Sequence, residues 1–327
     1  MNPLTSHMTP TKNKKSIDII TSALNEEDCL PEFLNRIQKV MDGERAYTYR
    51  IIVMDNDSRD RTWQVIKQYS KSHKNIFGIQ LSRTFTLDAA FTCGLDHAAG
   101  DLAILITSDL QDPPELIPNL LRKHEEGFDQ VLVRITKRGS VPLVRRILSW
   151  GFYVLAARMT DGMLPKSVSD FRLLTRKTYL GINQLRENHR FMRGIGSWVG
   201  FKSTFIEMER PPRFAGESKW LGTSFYKVFG QASRSIFAYS AKPLMWLSVI
   251  GIASSLLTMV LLFALTLYWA FGGARPFEGF GSLVALGALG FSAIMMSIGI
   301  LAQYLSLTYE EVKQRPLYLI SEKTKAL

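Results

Sequence analysis

Three short polar clusters hold most of the groups that could do chemistry: Asn25-Glu26-Glu27, Asp55-Asn56-Asp57-Ser58 and Asp109-Leu110-Gln111-Asp112. Each offers carboxylate and amide oxygens, the hard donors that suit a metal ion and, beside it, a nucleotide. Singly they would mean little, because Asp and Asn cap helices everywhere. What gives them weight is that each follows a β-rich run.

Those runs are SIDIITSAL, YRIIVMD, which ends at Asp55, and DLAILITSD, with IFGIQLS as a fourth. Between them lie helical patterns at Asp28 to Met41, Asp60 to Ser72 and Leu87 to Ala99. This βαβα rhythm over residues 16–140 predicts a parallel α/β sheet covered by helices. Ligands of such sheets sit beyond the carboxyl ends of the strands, where the three clusters fall.

Other chemistries find no support. The glycines of GIGSWVG (194–200) have the wrong spacing for a dinucleotide fingerprint, and there is no GxxxxGK[ST] phosphate loop. The five histidines show no metal-ligand spacing, and no nucleophile elbow is present. Two cysteines, Cys29 and Cys93, exclude a disulfide-dense scaffold and a four-cysteine zinc site.

The chain has 327 residues, 46% hydrophobic and 21% charged, which excludes a disordered or collagen-like protein. Its net charge of +11 points to a polyanionic partner: nucleic acid, anionic lipid or nucleotide phosphates. Residues 243–274 and 279–309 carry no charge at all. Each run exceeds the roughly 20 residues needed to cross a bilayer core, and only Arg275 to Glu278 part them, so they read as a transmembrane hairpin. Arg210, Arg213, Lys219, Lys227, Arg234 and Lys242 precede it and Lys313, Arg315, Lys323 and Lys325 follow it. The loop between offers Arg275 alone, which places both termini in the cytoplasm. The first fifteen residues have no apolar core and read as a disordered basic leader, not a signal peptide. From Lys219 to Tyr239, aromatic and basic residues mix as in a helix lying among lipid headgroups.

Eight strings in order make the chain resemble family 2 glycosyltransferases of the GT-A fold, in the polyprenyl-phosphate branch that holds bactoprenol glucosyltransferases and dolichol-phosphate mannose synthases. They are LNEEDCL, DNDSRDRT, LSRTFTLDAAFTCGLDHAAGD, SDLQDPPELIP, SDFRLLTR, RFMRGIGSWVGF, RFAGESKW and YEEVKQRPLY. The resemblance runs from about Ile17 to Ile320. It implies a leader at 1–15, a GT-A domain at 16–215, juxtamembrane helices at 216–241, two transmembrane helices at 242–309 and a cytoplasmic tail at 310–327.

The activity it implies is inverting transfer of a sugar from a nucleotide diphosphate, UDP by default and GDP otherwise, to polyprenyl phosphate at the cytoplasmic face of the inner membrane. The lipid-linked sugar would serve cell-envelope glycan modification, and relatives of this kind form homo-oligomers such as tetramers. Gly287, Gly290 and Gly299 would allow close helix contact. By position, Asp55 matches the nucleoside-binding Asp, with Asn25, Glu26, Asp57 and Ser108 nearby. Asp109 matches the last Asp of DxD, the principal ligand for Mg²⁺ or Mn²⁺, and Gln111 a further metal-side residue. Asp170 matches an acid at the reacting centre, for sugar positioning or acceptor activation. Arg190, Arg193, Arg210, Arg213 and Lys219 are the candidates for the lipid phosphate and diphosphate.

Two departures stand out. Thr107-Ser108-Asp109 loses the first acid of DxD, and Asp57 in Asp55-Asn56-Asp57-Ser58 replaces the glycine of DDGS. They leave open a non-catalytic membrane adaptor. A processive synthase would need more spans and a QxxRW motif, for which Gln231 to Ser235 lacks the Trp. Nucleic-acid binding would explain the charge but not the hairpin.

Overall fold

The computed structural model describes residues 14–137, 158, 167–188, 190–211, 240–271 and 280–326. They fall into two compact units, one holding the sheet and its helices, the other the two long apolar helices. Arg213, Lys219 and nearly all of the expected juxtamembrane stretch lie outside the described residues.

In the first unit the expected rhythm forms: β1 (Lys15–Ala23), α1 (Leu30–Gly43), β2 (Tyr47–Asp55), α2 (Thr62–Ser72), β3 (Ile76–Leu81), α3 (Leu87–Asp96) and β4 (Leu102–Thr107). Helix α1 shows why. Pro31 sits in its first turn, where a missing N–H is harmless, and Leu30, Phe33, Leu34, Ile37 and Met41 form one buried stripe. Helix α3 ends earlier than the pattern predicts. The buried Asp18 carboxylate accepts from the amides of Ala99 and Gly100, each at 2.7 Å, and draws the chain out of the helix. Arg50 pairs with the same carboxylate at 2.7 and 2.8 Å, so this buried charge is both paired and hydrogen-bonded.

The chain then continues through α4 (Ile117–Glu125), β5 (Gln130–Lys137), β6 (Val168–Thr175), α5 (Arg176–Gln184), α6 (Met192–Trp198) and β7 (Ser203–Glu209). Strand β8 (Ile320–Lys323) closes the sheet from the far end of the sequence. The order is β7-β5-β6-β4-β1-β2-β3-β8. Strands β4, β1, β2 and β3 are parallel, while β6 and β8 run antiparallel to their neighbours β4 and β3. The sheet is therefore mixed, with a parallel centre as expected and flanks that the sequence pattern does not reveal.

The register sets the site. Ala23 lies opposite Asp55, Ser22 opposite Thr107, and Asp55 opposite Gln80, so the carboxyl ends of the parallel strands finish level. The chain passes from β1 outward to β2 and β3, then returns to the other side of β1 as β4. Such a reversal is where open α/β sheets bind ligands, beyond the carboxyl ends of the strands. Leu105 faces Arg172, and continuing that antiparallel register brings Asp170 level with Thr107.

The second unit contains α7 (Lys242–Ala270, 29 residues) and α8 (Phe280–Val312, 33 residues). At 1.5 Å per residue they are about 44 and 50 Å long, more than a hydrocarbon core of roughly 30 Å. Both contain stretches long and apolar enough to cross a membrane, and their large side chains, such as Ile250, Phe263 and Met296, are exposed. The Tyr304 hydroxyl donates to the Ser240 carbonyl at 2.8 Å, tying α8 to the residue group that begins α7.

Candidate functional site

At each of three strand tips one residue turns the chain through the left-handed region: Asn25 (φ 51°), Asp57 (φ 64°) and Leu110 (φ 58°). Asp57 thus takes the conformation that glycine would provide at no steric penalty, which Asp tolerates better than most residues. The turn survives the replacement of that glycine.

The first two tips are bonded together. Asn25 donates its amide to Ser58 Oγ (3.0 Å) and accepts from the Arg59 amide through Oδ1 (2.8 Å). The Glu26 amide donates to Thr62 Oγ1 (2.9 Å). Asp55 is fully buried, and its carboxylate accepts from Gln80 Nε2 (3.0 Å) and the Ser58 amide (3.3 Å). Burial pushes its pKa up, and the bonds from Ser58 and Gln80 oppose that rise. Asn56 exchanges two 2.8 Å bonds with the Phe85 backbone, fixing the loop before α3.

At the third tip, Ser108 Oγ donates to the Ser22 carbonyl (2.9 Å), locking β4 to β1. Asp109 Oδ1 lies 2.9 Å from Thr107 Oγ1 and 3.3 Å from the amide of Gln111. Asp112 is completely buried, with Ser169 Oγ at 2.8 and 2.9 Å from its two oxygens and Arg210 Nη2 at 3.5 Å. Burial raises its pKa, against the nearby Arg210 and Ser169.

Strand β6 adds the acid beside this tip. Asp170 is gripped by both ends of the Arg193 guanidinium, at 2.9 and 2.7 Å. Burial pushes its pKa up, but Arg193, with Arg172 and Arg210, outweighs this and holds it below the usual carboxylate value. Arg172 is itself buried, donating to the carbonyls of Met192 (3.0 Å), Asp170 (3.2 Å) and Ser169 (3.3 Å). Helix α6 approaches it closely because Gly196 has no side chain; a Cβ there would stand 3.1 Å from Arg172 Nη1. Burial lowers the Arg172 pKa to about 10. Asp88, in the first turn of α3, accepts from the Met192 amide (2.9 Å), and burial with the neighbouring Asp170 charge pushes its pKa up to about 6.

The structure thus gathers Asn25, Glu26, Asp55, Asp57, Ser108, Asp109, Gln111, Asp170, Arg193 and Arg210 within one unit, on strand tips or the elements beside them. Arg190 is placed otherwise. It is buried, and its guanidinium donates to the carbonyls of Ile182 (3.0 Å) and Leu185, satisfying the end of α5. The motif strings contained Asp88, Asp112, Ser169 and Arg172, but only contacts distant in sequence reveal what these residues do. An open cleft of about 670 Å³ lies at the opposite rim, among Lys15, Thr48, Asp101, His124 and Thr175. It is remote from the tips.

The carboxyl tips of the parallel strands thus stand level, with Asp170 of antiparallel β6 and its partner Arg193 of α6 beside them. The chain belongs to glycosyl transferase family 2, whose model matches residues 18–182. An uncharacterised glycosyltransferase of Synechocystis sp. is 37% identical, over 94% of this chain and 95% of that protein. The prophage bactoprenol glucosyl transferase homolog of Escherichia coli is 32% identical, over 94% and 99%. The bactoprenol glucosyl transferase of Shigella phage SfV is also 32% identical, over 94% and 99%. Among solved structures, the glucosyl-3-phosphoglycerate synthase of Mycobacterium tuberculosis, held with Mn²⁺, uridine-diphosphate and glucosyl-3-phosphoglycerate, is similar over 68% of this chain and 78% of that one. Its identity is 20% and the TM-score 0.49. The protein is a glycosyltransferase.

Proposed function

We propose that the chain moves a sugar, with inversion, from a UDP-sugar to a polyprenyl phosphate such as undecaprenyl phosphate. The setting is the cytoplasmic face of the inner membrane, and α7 and α8 are the spans. The observation that carries this is the level alignment of the strand ends that bear Asp55, Asp170 and, just beyond Thr107, Asp109. Relatives named as bactoprenol glucosyl transferases, matched over almost the whole chain, support the lipid acceptor.

Each group then has a task. Asp55 and the Asn25-Glu26 turn face the nucleoside, with Asp57 and Ser108 shaping the walls. Asp109 and Gln111 supply hard oxygen donors for Mg²⁺ or Mn²⁺. Among the described residues no three His, Cys, Asp or Glu side chains converge on one point, so the ion would take its remaining ligands from the diphosphate and water. When bound, the cation neutralises charge on the leaving diphosphate. Arg210, Arg193, Arg213 and Lys219 are the cations proposed to hold the two anionic substrates side by side.

The acceptor needs little activation, because a phosphate monoester with a second pKa near ~6 is already ionised at pH 7. Asp170 is in any case a weak base, its pKa lowered in the grip of Arg193. Its task is therefore to position the sugar and to stabilise positive charge as the anomeric bond breaks. Attack from the face opposite the diphosphate inverts the configuration. Assembly of copies through α8 belongs to the same reading, since Gly287, Gly290 and Gly299 have open space where a side chain would stand.

The test is a screen of nucleotide sugars with undecaprenyl phosphate and purified protein, with and without EDTA, read by mass spectrometry of the lipid. A lipid-phosphate hexose that disappears with EDTA is expected. Nucleotide-sugar binding without any glycolipid product would overturn the proposal in favour of an adaptor.

A further inference from the structure

The backbone of Met192 is held on both sides of its Cα. Its N–H donates to Asp88 Oδ1 at 2.9 Å and its carbonyl accepts from Arg172 Nη1 at 3.0 Å. Met192 opens α6, a helix of seven residues whose own N-cap, Phe191, makes no side-chain capping bond. So short a helix does not hold itself in place, and its first amides need outside acceptors. Asp88 supplies one from α3, a different element.

The next residue is Arg193, forked onto Asp170. That pair fixes the head of a long, rotatable side chain, and Asp88 fixes the backbone that carries it. The distinction matters once a phosphate arrives. An anionic oxygen competes with Asp170 for the guanidinium, and as the fork loosens the backbone anchor still holds the turn that carries Arg193.

We propose that Asp88 is a positioning residue for sugar transfer: through the Met192 amide it fixes the turn that presents Arg193 to Asp170 and the substrates. This rests on the reading that Asp170 and Arg193 stand at the reacting centre. The bond it names is one that an amide oxygen can accept as well as a carboxylate, so Asp88→Asn preserves it and Asp88→Ala deletes it.

The experiment compares full-length wild type, Asp88→Ala and Asp88→Asn in detergent, with radiolabelled UDP-glucose and undecaprenyl phosphate. A misaimed Arg193 lowers kcat about tenfold or more in Asp88→Ala while KM for UDP-glucose stays within about threefold. In Asp88→Asn, kcat stays within about threefold of wild type. Hydrogen exchange of the segment 190–198, followed by mass spectrometry, adds a readout independent of turnover. It quickens in Asp88→Ala and holds in Asp88→Asn. Wild-type kcat in Asp88→Ala, or equal loss in both variants, would overturn the proposal. If wild type transfers no sugar from UDP-glucose or from any other donor of the screen above, the proposed function fails, while unchanged exchange in Asp88→Ala would still overturn the anchoring. Should Asp88→Ala not accumulate folded, Asp88→Ser, whose oxygen falls short of the Met192 amide, takes its place with the same expectations.

Discussion

Thr107 Oγ1 lies 2.9 Å from Asp109 Oδ1, and the same hydroxyl is 3.1 Å from Asp112 Oδ2. One proton therefore serves two carboxylates where the family's DxD would put a third. Thr107 is thus a donor that steadies Asp109, the Asp proposed to face the metal, and the local charge is lower by one than an acid in its place would give.

Restoring the acid should couple stability to the cation. Thr107→Asp sets three carboxylates within contact, a like-charge cluster that opposes folding unless neutralised. Its Tm in EDTA is expected to fall by several degrees relative to wild type and to recover with millimolar Mn²⁺. Calorimetry with and without the ion checks this; a Tm insensitive to Mn²⁺ would contradict it.

Asp109 sits on a rim loop, and its removal should leave the core intact. Asp109→Ala is expected to lower transfer more than about 100-fold, the scale of losing a principal electrostatic group. Circular dichroism and Tm should stay near wild type. Near-wild-type turnover in the purified variant would remove Asp109 from the metal role.

The Asp170–Arg193 fork makes a geometric prediction. Lysine carries the charge but lacks the planar pair of donors. Arg193→Lys should therefore fall well short of wild type, by about tenfold in kcat, and Asp170→Asn by about 100-fold. If Arg193→Lys transfers sugar as fast as wild type, charge alone suffices and the fork is incidental.

The three tips were legible because each is local: a β-rich run followed at once by its acids. The parallel order followed from the same short-range rhythm. What lay hidden depends on partners far along the chain. Strand β8 pairs with β3 through Gln80 and Glu322, and no periodicity in four residues announces it. Asp88 and Arg172 meet only because α3, β6 and α6 pack together. Arg190 also stands in a motif string, and only the fold shows its guanidinium on the carbonyls that end α5.

Strand β8 carries a prediction of its own. Trp63 Nε1 donates to Glu322 (3.0 Å), Thr324 and Gly78 exchange bonds at 3.0 and 2.9 Å, and Lys325 Nζ reaches the carbonyls of Ser70, His73 and Lys74 at the end of α2. A chain ending at Arg315 would bare the β3 edge and leave those carbonyls without their cation. Its Tm should drop by roughly 5–10 °C, with a greater tendency to aggregate. A truncated protein as stable as the whole would mean that the edge needs no cover.

The last prediction concerns pH. The fold raises Asp88 to about 6, so the native protein holds a proton there that the unfolded chain has released. Between about pH 4 and 6 the unfolded state binds fewer protons, and stability falls as pH rises through that window. Above it, ionised Asp88 is less favourable than a neutral amide by something on the order of 2 kcal/mol. Burial raises Asp55 and Asp112 as well, while Arg193 and its neighbours lower Asp170, so the wild-type profile alone mixes several groups. The difference between wild type and Asp88→Asn isolates one. The two should melt together at pH 4.5, with the variant several degrees higher at pH 7.5. Parallel profiles across that range would show that Asp88 does not titrate where its half-buried, acid-flanked position puts it.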